Sequence, residues 1–155
     1  MSDFKFNNYG KFTDGKIEVV VREKRPAAKL KGYVPSYEFN ILLPEKHDPI
    51  GRIGLRIGNT KLIIMYVGHI GFEIQEEYRG HRYAMKACNI IKRVAIDHCL
   101  KTLWINCSPE NYPARRTCEL LGCEFVEIVD LPEYTVMYQR GDRQACRYRW
   151  DLATS

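Results

Sequence analysis

Apolar and polar residues alternate along this chain in two rhythms. Over the first half the period is two. "IEVVVREK", Ile17 to Lys24, is β-branched and reads as a strand suited to a pleated, half-buried surface. In "SYEFNILL", Tyr37, Phe39, Ile41 and Leu43 share one face, and "PEKHDP" closes the segment as a turn. "IGRIGLRI" sets Ile53, Leu55 and Ile57 against Arg52 and Arg56, and Gly58-Asn59 supplies a tight turn. A further extended segment is expected from Lys61 to Gln75, where Gly68 and Gly71 mark a bulge or a place where other backbone comes close. Between the first two strands, Arg25 to Pro35 holds two prolines and Gly32, which leaves little room for a helix.

The period changes at Ala84. Ala84, Ala87, Cys88, Ile91, Val94, Ala95 and Cys99 follow the i, i+3, i+4, i+7 rule, so a helix is expected from Ala84 to about Leu100. "TLWINC" is short and apolar on both faces, as a central strand is. Asn111 can cap a second helix, Pro113 fits its first turn, Ala114, Cys118 and Leu121 form its inner stripe, and Gly122 stops it. "EFVEIV" and "CRYRW" supply two last strands around a long loop, Asp130 to Arg143. The order of elements describes an α/β fold on a mixed sheet, with a helix connecting central neighbours.

Composition narrows the class. With 155 residues, 45% of them hydrophobic, the chain makes one domain, 1–155, whose core runs over about 16–150. The formal charge of +5, from 24 Lys and Arg against 19 Asp and Glu, includes no basic run. That balance suits a multiply phosphorylated small molecule better than nucleic acid. The six cysteines form no C-x-x-C pair and no zinc spacing, so they are expected as reduced, buried thiols, with no metal. No apolar run has signal-peptide or membrane-span length, so a cytoplasmic protein without a membrane partner is expected.

Candidate chemistry gathers in "EEYRGHRYAMKACNIIKRVAIDHC", residues 76 to 99. A helix N-terminus presents unpaired N–H groups and the positive end of the macrodipole, which favours an anion. Gly80 removes a Cβ where a phosphate would approach, and Arg79, His81 and Arg82 add charge nearby. An ordinary helix start with a turn glycine accounts for the same residues. A P-loop is excluded because no G-K-[ST] follows the glycine.

"GFEIQEEYRGHRYAMKACNIIKRVA" resembles the central motif of the GCN5-related N-acetyltransferases (GNAT), a strand followed by [QR]-x-x-G-x-[GA] at a helix start. "SPENYPARRTCELLGCEFVEI" is similar to that superfamily's next motif, Asn-x-x-Ala, a helix ending in Leu-Gly and a strand. The motifs cover residues 66 to 129, and the order of elements extends the likeness over 16 to 150. The resemblance implies a GNAT-like acyl-CoA N-acyltransferase fold whose helices after the first strand are shortened or absent, since only Arg25 to Pro35 stands in their place. It implies acetyl-CoA as cosubstrate. Backbone amides of Arg79, Gly80, His81, Arg82, Tyr83 and Ala84 would hold its pyrophosphate, the main chain of Phe72 and Ile74 its pantetheine arm, and Asn111 would face the gap where the thioester lies. A primary amine, small molecule or peptide, would attack the thioester directly, with no metal and no covalent acyl-enzyme.

Departures from the motif shape further expectations. Arg82 replaces the motif's second glycine; a helical φ there would turn its side chain away and leave its amide available. The helix tyrosine that protonates the leaving thiolate in such enzymes falls on Cys118, whose thiol can donate a proton or simply pack. The base that deprotonates the amine is sought at His69 or Glu73, on one side of the glycine-interrupted strand by period-two counting. Tyr134, Tyr138, Arg140 and Arg143 are candidates for the acceptor side. The reduced helices leave apolar surface, which points to a homodimer. The alternatives are a non-catalytic acyl-CoA-binding module and, on the basic excess and ten tyrosines, a nucleic-acid-binding protein.

Overall fold

A computed structural model describes residues 4–152. β1 (Phe12–Thr13), β2 (Glu18–Arg25), β3 (Ser36–Leu42), β4 (Gly51–Arg56) and β5 (Ile70–Ile74) form an antiparallel sheet in that order. β6 (Thr102–Cys107), β7 (Glu124–Asp130) and β8 (Gln144–Asp151) form a second antiparallel sheet in the order β6-β8-β7. Helix α1 (Tyr83–Asp97) carries the chain from one sheet to the other, and α2 (Tyr112–Leu121) joins β6 to β7.

Alternation builds one core. Val19, Tyr37, Phe39, Ile41, Ile53 and Leu55 are buried on one face of the first sheet, and the stripe Ala87, Cys88, Ile91, Val94 and Ala95 of α1 packs in the same cluster. Leu103, Ile105, Cys118, Tyr148 and Trp150 continue that cluster under the second sheet. Each fully buried Ile, Leu or Phe contributes about 1.5–3 kcal/mol, so the core ties both sheets to α1.

The caps fall where the sequence puts them. The Asn111 side chain accepts the Ala114 N–H at 3.3 Å, and Gly122 closes α2 at φ 80°. Helix α1 ends earlier than periodicity suggests. Cys99 takes a left-handed φ of 65° and is exposed beyond the helix, while the Leu100 N–H returns to the Ala95 carbonyl at 3.0 Å.

Two segments differ from expectation. Lys61 to Gln75 is not extended throughout: Ile63–Val67 coils into a π-helical turn, closed by the Gly68 N–H on the Ile63 carbonyl at 2.8 Å, and the strand is only Ile70–Ile74. The run LIIMYV has no polar alternation, and the turn packs where the Arg147 Nη2 donates to the Ile64 carbonyl at 3.1 Å. The late loop contains a short helix, α3 (Val136–Gln139), capped by Thr135. Between β2 and β3 only one 3-10 turn, Lys29–Lys31, interrupts the loop, so the helices expected to be shortened are indeed reduced.

Candidate active site

The site begins where the sheets touch. The His69 N–H donates to the Trp104 carbonyl at 2.7 Å, and the Trp104 N–H donates to His69 Nδ1 at 2.9 Å. Gly68, at φ 76°, permits this approach, because a Cβ there would lie 2.8 Å from the Trp104 oxygen and 3.0 Å from the Asn106 nitrogen. Past this pin, β5 and β6 belong to separate sheets and a gap opens between them. The Arg56 N–H bonds the His69 carbonyl and the Gln75 N–H bonds the Ile50 carbonyl. Alternation between these anchors turns the Gly71 and Glu73 amides toward β4 and those of Phe72 and Ile74 toward the gap. The Ile74 carbonyl there is held by Arg79 Nε at 2.9 Å.

A cleft of about 600 Å³ lies on one side, between β5, the start of α1 and α2. The first bond into α1 runs from the Lys86 N–H to the Arg82 carbonyl, so the amides of Tyr83, Ala84 and Met85 point out of the helix end unpaired within the helix. Gly80 sits at φ 90°, and a Cβ added to it would meet nothing within 4 Å, so the backbone lies bare to the cleft. Arg82 is not helical as expected: its φ is 62°, the left-handed region in which a glycine costs nothing. Its side chain lines the cleft with those of Arg79, Tyr83, Ala84 and Arg116. His81 does not line it and stacks on Tyr83, ring centres 5.2 Å apart.

A second cleft, about 660 Å³, lies on the other side and shares Phe72, Asn111 and Ala114 with the first. Gly71 and Glu38 stand in its wall, and the Glu38 carboxylate lies over Gly54, the ladder partner of Gly71, 2.9 Å from where a Cβ on Gly54 would stand. Arg56 lines it and fixes the Gly68 carbonyl with Nη1 at 3.1 Å. Tyr134 and Arg140 reach this cleft, whereas the Arg143 guanidinium lies over the Tyr138 ring at 3.9 Å and neither lines it.

The candidate acid and bases are dispersed. His69 is fully buried and lines neither cleft. Its Nδ1 accepts from Trp104, so its Nε2–H is the atom that donates to Asn59 Oδ1 at 3.0 Å. Burial, helped by the Arg56 charge, pushes the imidazole down to about 4, and no lone pair is open to an incoming amine. Glu73 lines the first cleft, not the second. Cys118 is fully buried away from both, and a hydrogen bond with Cys123, together with burial, holds its thiol far above the ordinary range. Phe72, Ile74 and Asn111 all line the first cleft. Glu38, Arg56 and Asn106 were not singled out by sequence; each is an outward polar residue in a strand, a pattern shared with plain surface.

Known proteins of similar shape fit this geometry. No curated protein matches the chain by sequence. The ribosomal-protein-S5-alanine acetyltransferase of Vibrio fischeri superposes with a TM-score of 0.69 at 13% identity, over 93% of this chain and 97% of that one. The microcin C7 self-immunity acetyltransferase MccE, solved with acetyl-CoA and AMP, gives 0.58 at 15%, over 75% of this chain and 61% of that one. Mycobacterium smegmatis RimJ, solved with CoA-disulfide, gives 0.57 at 18%, over 77% and 54%. At such identities these structures share the fold. The acetyltransferase (GNAT) domain profile matches residues 4–124, a span that contains the first sheet, both walls of the first cleft and the gap, and the chain therefore belongs to the GNAT acetyltransferase family.

Proposed function

We propose that the protein transfers an acetyl group from acetyl-CoA to a primary amine by direct attack on the thioester. The observation that carries this is the meeting of the two clefts at Phe72, Asn111 and Ala114, in the gap between β5 and β6. One cleft ends on unpaired helix amides with Arg79, Arg82 and Arg116 beside them, an arrangement suited to a pyrophosphate. The free edge at Phe72 and Ile74 suits an extended pantetheine arm, which would add to β5 as a strand does. The amine enters by the second cleft. There its nitrogen attacks the carbonyl carbon, the C–S bond breaks, and the CoA thiolate leaves and takes a proton from water. Glu38, a carboxylate that lines that cleft, receives the proton that the amine gives up. His69 then serves as the pin that holds the gap open, and Cys118 as packing.

The same reading includes a homodimer joined along β7. A second reading, a CoA-binding module without catalysis, is favoured by the position of Cys118, which brings no side-chain acid to the thioester.

Acetyl-CoA is expected to raise the melting temperature by binding only the folded chain, with dephospho-CoA raising it less. Thiol release from acetyl-CoA in the presence of an amine panel then separates enzyme from binder. No thermal shift with either nucleotide would sink both readings; a shift without thiol release on any amine leaves the binding module.

A further inference from the structure

Asn106 stands on β6 two residues past Trp104, on the face opposite the buried Leu103, Ile105 and Cys107, and it lines the acceptor cleft. Neither Oδ1 nor Nδ2 of its carboxamide has a hydrogen-bond partner, and neither is exposed. Buried polar groups are nearly always paired, because an unmet donor or acceptor forfeits its bonds to water with no return. The ladder partner, Arg147, does not satisfy it. Its Nη1 donates to Glu127, its Nη2 donates to the Ile64 carbonyl at 3.1 Å, its guanidinium lies 4.2 Å from the Trp104 ring centre, and its Nε makes no bond to the amide. With no hydrogen bond to break, the carboxamide is free to turn about χ2 toward a molecule in the cleft.

We propose that Asn106 contacts the acceptor, with Oδ1 accepting an N–H of the amine and Nδ2 donating to an oxygen carried close to that nitrogen. The acceptor class follows from this pairing, since one carboxamide offers an acceptor and a donor side by side. It is a primary amine with a carbonyl or hydroxyl oxygen on the carbon next to the one bearing the nitrogen, taken in preference to a plain alkylamine. This rests on the acetyl-transfer reading above.

Ethanolamine, glycinamide and n-propylamine are matched probes for kcat/KM with acetyl-CoA, on wild type and on Asn106→Leu. The variant keeps the unliganded Tm or raises it, because it removes an unsatisfied amide, and it keeps the acetyl-CoA thermal shift. On ethanolamine and glycinamide it loses about tenfold more in kcat/KM than on n-propylamine, the size of the one hydrogen bond to the oxygen that n-propylamine lacks. Asn106→Ala repeats the comparison if the leucine does not fold. A lower Tm with the wild-type preference retained would make Asn106 a structural partner of Arg147 and overturn the proposal, and so would an equal loss on all three amines. An active wild type with no preference for the oxygen-bearing amines overturns it alone. A wild type that acetylates other amines of the panel but none of these three overturns this proposal alone, whereas one that binds acetyl-CoA and releases thiol with no amine overturns the acetyl-transfer reading, and this proposal with it.

Discussion

At His69 burial decides chemistry. An imidazole in an unfolded chain titrates near 6.5, and in the fold it is held at about 4. Between those values the unfolded state binds a proton that the folded state refuses. The stability this ring contributes is therefore complete above about pH 6.5 and is lost as pH falls toward about 4, by roughly 3 kcal/mol in all. His69→Ala leaves the Trp104 N–H and Asn59 without their partner and opens a cavity, which costs about 2–4 kcal/mol at pH 7. Urea midpoints at pH 7 and pH 5 should differ for wild type and converge for the variant. Equal slopes would show that His69 is open to solvent and restore it as a candidate base. A period-two count could place this ring on a strand near the gap; it could not show that both nitrogens are already taken.

At the scale of the element, α1 opens on a residue in the wrong conformation for its type. Arg82 at φ 62° bears a left-handed backbone cost of about 1 kcal/mol that a glycine avoids. Arg82→Gly should raise Tm by roughly 2–4 °C for a chain of this size, and acetyl-CoA should bind more weakly because a cation leaves the first cleft. A variant that melts lower would mean that the arginine side chain pays for its backbone through contacts in the cleft. Strands β3 and β4 and both long helices were legible because each has a solvent face and a core face, which sets a clear period. Ile63–Val67 was not, since an apolar run with no polar alternation fits a strand and a helical turn equally well.

For the whole molecule, the exposed edge is β7. Phe125, Val126 and Ile128 are 45%, 38% and 44% exposed on a strand that pairs only with β8 among the described residues. Its acids do not guard the edge alone, because Glu124 and Glu127 are paired with Arg149 and Arg147. A second copy adding to this edge would cover the apolar side chains and satisfy the free backbone. Sedimentation at micromolar concentration should give about twice the 18.1 kDa chain mass, and Val126→Lys should shift it toward the monomer. A wild-type monomer would rule the dimer out. The sequence by itself determined the alternating strands, the two long helices, the caps of α2 and the anion-favouring helix start, since period, caps and turn glycines act within a few residues of one another. Only the tertiary structure decided that Gly68 lets two sheets meet at His69, that the gap joins two clefts, and that Glu38 and Asn106 face the second. Those relations join residues more than thirty positions apart, and burial and hydrogen-bond occupancy exist only once such distant segments are packed together.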